Sequence, residues 1–148
     1  MQNQFSFENL FVYDLANNHQ GDPQHAANII REVGRVNKAA GARGALKFQF
    51  RQLETFIHPD FKARTDHKYV KRFKETELTM KQFRDMVPLV KQAGLLTMST
   101  PFDEESVDVI CDMGLDTMMA IAAAFKSHEL GRRVRIDWTR GYVPAAIL

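Results

Sequence analysis

Val12-Tyr13-Asp14-Leu15-Ala16-Asn17-Asn18-His19-Gln20-Gly21-Asp22 is the stretch that decides the fold. The apolar run from Leu10 to Leu15 reads as a buried strand. It stops abruptly at amides, a histidine and a glycine, just ahead of a helical pattern. A β/α enzyme presents its chemistry in this way, with the strand buried and its C-terminal end opening into a loop of reactive groups. The same kind of junction recurs at Leu46-Lys47-Phe48-Gln49 and at Met98-Ser99-Thr100-Pro101-Phe102-Asp103. Three polar strand ends in one short chain point to one shared site.

The pattern extends outward from these junctions. Asp22 is placed to cap a helix that starts at Pro23. Ala26, Ala27, Ile29, Ile30, Val33 and Val36 recur at helical spacing up to Ala40, and Gly41 suits the C-cap. Ala45 to Phe50 reads as a second strand. A helix is expected from near Thr79 to Gly94, with Pro88 as a potential kink. Leu95 to Ser99 reads as a third strand, Asp103 to Met113 as a helix ended by Gly114, and Thr117 to Ala122 as a fourth strand. The β-α-β-α-β-α-β order predicts parallel strands with right-handed crossovers in an α/β fold. Continuous apolar strands fit a sheet covered on both faces. The connection from Arg51 to Leu78 is long enough to need a function or structure of its own. It carries Lys62, Arg64, Lys68, Lys71, Arg72 and Lys74, and reads either as a solvated surface helix or as a loop over an anionic ligand.

Composition narrows the function classes. The chain has 148 residues and is 45% hydrophobic, enough for one domain with a core. Twenty basic against 18 acidic residues give a net charge of +2, too small to argue for nucleic acid. Asp60, Asp66, Glu75 and Glu77 interrupt the basic run, which further weakens a polyanion reading. The lone Cys111 excludes an intramolecular disulfide framework and fits a reducing compartment. No apolar run reaches the ~20 residues of a membrane span, and no signal peptide is visible at the N-terminus. The expectation is a cytoplasmic protein with no nucleic acid or membrane partner. No Walker loop, GxGxxG or Ser-His-Asp pattern occurs.

Candidate site residues sit at the strand ends. Lys47 is a charge in an otherwise apolar strand, which is costly unless it is paired or faces a ligand. It would meet a phosphate or carboxylate, or pair with Asp14. Gln49 shares its face, because strand side chains alternate, and could bind a sugar hydroxyl. Asp14 could serve as general base, as hydrogen-bond orienter, or as partner for Lys47. Ser99 and Thr100 could bind phosphate with nearby N–H groups, or one could cap the next helix. Asp103 reads as that helix's N-cap. Asn18 and His19 belong to a turn whose side chains bond the backbone or a substrate. No second ligand stands near His19 at metal-binding spacing.

On these residues the chain resembles the sialic acid synthase family. The family's first strand runs from an apolar pair through Glu-Ile-Gly to Asn-His-Asn-Gly, and here the matching run is Val12 to Gly21. Its Lys-Phe-Gln segment matches Lys47-Phe48-Gln49, and its Ser-Thr-Pro-Phe-Asp segment matches Ser99 to Asp103. Glu105-Ser106-Val107-Asp108 continues the likeness. The resemblance spans roughly residues 10–122. It implies a TIM barrel and a reaction that condenses phosphoenolpyruvate with an N-acylated sugar such as N-acetylmannosamine, releasing phosphate. It further implies that Lys47 and Thr100 bind phosphoenolpyruvate, that Gln49 lies near the sugar, and that Asp14 takes the place of a catalytic glutamate. A divalent metal, manganese or magnesium, would act as Lewis acid. Its family ligands lie on later strands, so no metal ligand is expected in this chain.

Departures accompany the likeness. Asp14 is one methylene shorter than Glu. The family's Lys-Ile-Ala-Ser strand is Ala120-Ile121-Ala122-Ala123 here, so both expected phosphate contacts are absent. A complete barrel takes about 250 residues. The sequence-based expectation is therefore an N-terminal half-barrel of about four strands over residues 1–123. An irregular tail over 124–148 would reflect truncation or a shifted reading frame. The alternative is a non-catalytic remnant acting as an anion-binding or self-associating module, and homo-oligomerisation stays open.

Overall fold

Two of the predicted helix starts carry the capping chemistry that makes them start. The Asp22 carboxylate accepts the Gln24 N–H at 2.8 Å and Pro23 opens helix α1 (Pro23–Ala39). Gly41, at φ +61, lets the chain leave that helix in the left-handed region. Thr79 and Gln82 form a reciprocal capping box ahead of another helix, Met80–Gln92. That helix runs through Pro88 as one element. Pro88 and Arg84, whose carbonyl loses its partner there, are both exposed, so water can satisfy the freed group.

The computed structural model describes residues 6–102 and 104–118. Within them strand β1 (Leu10–Ala16) precedes α1, which leads to strand β2 (Arg43–Phe50). The long connection then folds into three short helices: α2 (Leu53–Phe56), α3 (Pro59–Lys62) and α4 (Lys68–Glu75). Helix α5 is the Met80–Gln92 element, followed by strand β3 (Leu96–Pro101), helix α6 (Glu104–Asp112) and the two-residue strand β4 (Thr117–Met118). The remainder of the expected fourth strand, the Asp103 cap and the tail from residue 124 lie outside the described residues.

The strands form one parallel sheet in the order β1-β2-β3-β4. Consecutive order without reversal, with right-handed crossovers, carries the helices to one face. The core confirms that placement. Leu46, Phe48 and Phe50 of β2 pack with Ile30 of α1, with Phe83, Met86 and Val90 of α5, and with Ile110 of α6. Polar anchors lock the turns between these layers. The Tyr13 hydroxyl donates to Asn37 Oδ1 at 3.1 Å, and Asn37 Nδ2 donates to the Ala42 carbonyl at 3.0 Å. The Asp116 carboxylate accepts both the backbone N–H and the hydroxyl of Thr97 at 2.7 Å, pinning the approach to β4 against β3.

One expectation needs correction, and one open pair of readings is narrowed. The first strand is not buried: Phe11 is 59% and Val12 46% exposed. Among the described residues β1 pairs only with β2, so it is an edge, and its apolar composition does not guarantee cover. The open pair concerns the basic connection, where local partners for several cations favour the solvated surface over a loop on an anionic ligand. Lys62 meets Glu54 at 3.1 Å, Arg64 meets Asp66 at 2.6 Å, Lys71 meets Glu75 at 3.7 Å, and Lys74 Nζ donates to the Lys62 carbonyl. Most of this segment is a self-paired surface, with no broad cationic face for a polyanion.

Phe83 is the hub of the core, edge-on to His19 and Phe48 and tilted 4.3 Å from Phe50. Phe83→Ala should lower unfolding free energy by about 3–5 kcal/mol. Urea titration followed by circular dichroism would check this, and a loss under about 1 kcal/mol would contradict the hub assignment.

Candidate functional site

Strand β2 has two chemically distinct faces. Leu46, Phe48 and Phe50 are buried against the helices, so by alternation Lys47 and Gln49 project from the opposite face. Parallel register extends that face across neighbouring strands: Asp14 lies opposite Lys47, and Thr100 opposite Gln49. Four of the residues singled out in the sequence thus share one face near the C-terminal ends of three strands.

Lys47 Nζ lies 2.9 Å from Asp14 Oδ2. The Lys47 side chain is only 16% exposed, while that of Asp14 is 45% exposed. The pair therefore resolves the cost of a charge within the strand while keeping its carboxylate in reach of water. Partial exposure limits what the pair adds to stability. It leaves the ammonium positioned by a partner that an incoming anion could join or displace.

Gln49 Oε1 accepts a 2.6 Å hydrogen bond from an Arg51 Nη. Arg51 was not anticipated as a site residue. Its guanidinium sits over two rings, 4.9 Å from the Phe73 centroid and 4.6 Å from that of Phe102. The sequence signal was there, since Arg51 falls two residues past Gln49 on the same alternation, but the two rings come from distant segments. Burial, with Arg72 nearby, holds the Arg51 guanidinium below its ordinary pKa.

Ser99 and His19 stand apart from this cluster. Ser99 is fully buried, and its hydroxyl donates to the Phe48 carbonyl at 3.3 Å. It alternates with Thr100 and so turns to the helix-packed face, away from any ligand at the rim. His19 is 2% exposed and lies edge-on to Phe83. Its Nδ1 accepts the Gly21 N–H at 3.1 Å, and it also hydrogen-bonds the Ala16 backbone. Of the two uses foreseen for this turn, His19 serves the backbone.

The loop it supports is tightly specified. The β1–β2 register shifts between Asp14 and Ala16, and Ala16 adopts φ +45, a region that is uncommon for residues other than glycine. The chain then doubles back through Asn17 and Asn18. Gly21, at φ +78, lies so close to α4 that a Cβ there would come 2.6 Å from the Glu75 carbonyl oxygen. Between this loop and α4 opens a cavity of about 490 Å³, lined by Asn17, Asn18, Gln20, Arg72, Glu75 and Thr76. That volume suits a small molecule, and a lining made only of polar residues suits a hydroxylated one. Asn18 lines the cavity, exposed, with its Nδ2 3.4 Å from the Asp14 carbonyl.

Among the described residues no three His, Cys, Asp or Glu side chains gather closely enough to hold a cation. Asp14 is committed to Lys47 and His19 to the backbone, so these residues do not fit a metal site. Also among the described residues, no helix is long and apolar enough to cross a membrane.

Comparison with known proteins gives this geometry a context. The model of the NeuB family matches residues 35–130. A protein from Chromobacterium violaceum, assigned as spore coat polysaccharide biosynthesis protein E, is 41% identical, with a TM-score of 0.71 over 75% of this chain and 33% of its own. The N-acetylneuraminic acid (sialic acid) synthetase of Leptospira borgpetersenii shares the fold at 23% identity, TM-score 0.58, over 74% of this chain and 34% of its own. An uncharacterized protein of Methanocaldococcus jannaschii is 30% identical over 117 residues, 79% of this chain and 32% of that protein. The chain thus spans about a third of the length of these relatives.

The buried imidazole ties stability to pH. Burial lowers the His19 pKa from its ordinary 6.5, with Arg51 and His25 adding to the effect and the Ala16 hydrogen bond opposing it. The unfolded chain then binds the proton more readily than the folded one. His19 therefore contributes stability that is present above about pH 6.5 and is lost as the pH falls below it. Urea midpoints should drop between pH 7 and 5, and His19→Gln should flatten that drop. An unchanged pH slope in the variant would contradict the linkage.

Proposed function

Because the chain belongs to the NeuB family, we propose that it carries the phosphoenolpyruvate-binding strand ends of a sialic acid synthase-like enzyme. The reaction would condense phosphoenolpyruvate with an N-acylated sugar, such as N-acetylmannosamine, to give a nonulosonic acid and phosphate. In this reading the four strands are consecutive units of a (β/α)8 barrel working in the cytoplasm, in keeping with the lone Cys111. The carrying observation is the shared face of Asp14, Lys47, Gln49 and Thr100, with Lys47 held 2.9 Å from Asp14.

Each residue then has a role. The Lys47 ammonium takes an anionic group of phosphoenolpyruvate, and Asp14 holds that ammonium in place when the substrate is absent. Thr100, opposite Gln49 in register, supplies a hydroxyl at the same rim. Gln49 and Asn18 meet the sugar, Asn18 from within the polar cavity beside α4. Ser99 takes no part, because its hydroxyl is committed to Phe48. A divalent cation, manganese or magnesium, is expected with the family. Among the described residues no three His, Cys, Asp or Glu side chains gather to hold it.

A second reading rests on the exposed edge. Phe11 and Val12 leave an apolar strand open in β1, which suits a self-associating, non-catalytic module.

Calorimetric titration with phosphoenolpyruvate tests the first reading. Lys47→Ala should weaken binding about tenfold or more, because a charge-assisted contact is lost. Affinity unchanged in that variant would remove the proposed site. Phosphate release with N-acetylmannosamine and manganese, measured alongside, separates an enzyme from a binding module.

A further inference from the structure

The basic connection gives most of its cations a local partner, and the exception stands at a cavity. Lys62, Arg64, Lys71 and Lys74 meet carboxylates or a carbonyl, and Lys68 lies over the Tyr69 ring. The Arg72 guanidinium has neither an ion pair nor a hydrogen bond among the described residues. It lines the polar cavity of about 490 Å³ between the β1–α1 loop and α4.

A second guanidinium stands behind it. Arg51 borders the neighbouring cavity of about 30 Å³, and Asn17 and Thr76 line both spaces. Among the described residues Arg51 has no carboxylate partner either. Its charge is met by the neutral Gln49 amide and by the Phe73 and Phe102 rings, and its Nε is buried without a hydrogen-bond partner. After burial itself, Arg72 is what lowers the Arg51 pKa. Two like charges on adjoining walls repel, and partial burial screens them less than open water would. The acids nearby do not cancel this locally. Glu75 Oε1, in the wall of the larger cavity, lies 3.7 Å from Lys71. Glu77, beside the smaller one, forms no ion pair among the described residues. An anion seated against Arg72 would relieve the repulsion.

We propose that Arg72, backed by Arg51, makes this cavity a binding site for a small hydroxylated anion, a sugar phosphate or a sugar acid. The guanidinium takes the phosphate or carboxylate oxygens in a charge-assisted contact. The Asn17 side chain is half-buried and hydrogen-bonds none of the described residues, so its amide is left for hydroxyls, with Gln20 alongside. One guanidinium at a cavity suits a single anionic group, which sets this site apart from a polyanion face. The inference goes beyond the synthase-like reading, which brings only a neutral sugar to this cavity, and it does not depend on Lys47.

Inorganic phosphate is the first probe, titrated at fixed ionic strength while nuclear magnetic resonance follows the backbone amides of Asn17 and Thr76. Saturable shifts are expected in the native chain and in Lys47→Ala. Arg72→Gln should weaken this binding about tenfold or more, and Arg72→Lys should keep part of it. Glucose 6-phosphate and gluconate, each compared with glucose, separate the two sources. The anion that binds more tightly than inorganic phosphate names the group, and glucose should bind about tenfold more weakly than that anion. Urea unfolding without added anion supplies a readout that a structural role would move the other way. Arg72→Gln should keep or raise the midpoint, because it removes the repulsion on Arg51. The assignment is overturned by shifts that ignore Arg72 or never saturate, or by glucose binding as tightly as both anions. It is equally overturned if neither sugar anion exceeds inorganic phosphate, or if Arg72→Gln lowers the midpoint. Phosphoenolpyruvate affinity unchanged in Lys47→Ala would remove the earlier reading alone, and phosphate shifts unchanged in Arg72→Gln would remove this one alone.

Discussion

Everything at the rim depends on the strict alternation of strand β2. One face of this strand is committed to packing by Leu46, Phe48 and Phe50, which bury fully against three helices. A slip of one residue would carry Lys47 and Gln49 into that apolar layer and expose the aromatic rings. The hydrophobic effect, acting on residues that touch no ligand, therefore fixes the direction of those that could. The paired register passes this constraint to Asp14 on one side and Thr100 on the other. Packing and chemistry are two consequences of the same pleat.

The long connection closes the other side of the site by a different kind of force. Its helices are short and mostly exposed, and alone they would be marginal in water. They are held by aromatic contacts, Phe56 with Phe73 and Phe102, and by the Arg51 guanidinium, which lies over two of those rings. They are held as well by the absence of a side chain at Gly21, which lets the β1–α1 loop approach the Glu75 carbonyl. The polar cavity between loop and α4 exists because these contacts set a separation that neither segment could set by itself.

Much of this was legible in the sequence. Helix starts at Asp22 and Thr79, the turn at Gly41 and the shared face of Lys47 and Gln49 follow from local chemistry and from a period of two or 3.6 residues. The Lys47–Asp14 pair was one of two readings left open, and the geometry forms it. What could not be read depends on contacts between distant segments. The use of the Ser99 hydroxyl and the His19 ring nitrogens is settled by where buried carbonyls and N–H groups happen to lie. The exposure of β1 depends on which strands flank it, and composition does not encode that. Arg51 looked like the first residue of a loop, because its significance comes from Phe73 and Phe102, 22 and 51 positions further along the chain.

The self-paired surface has one more consequence. With Lys62, Arg64, Lys71 and Lys81 each within 2.6–3.7 Å of a carboxylate, these four cations form small opposed dipoles with their partners. Such dipoles fade over a distance much shorter than a lone charge would, and salt shortens it again. An anionic metabolite passing these pairs feels little of their charge until it is close. What these four side chains offer an anion is therefore short-range contact and not long-range attraction.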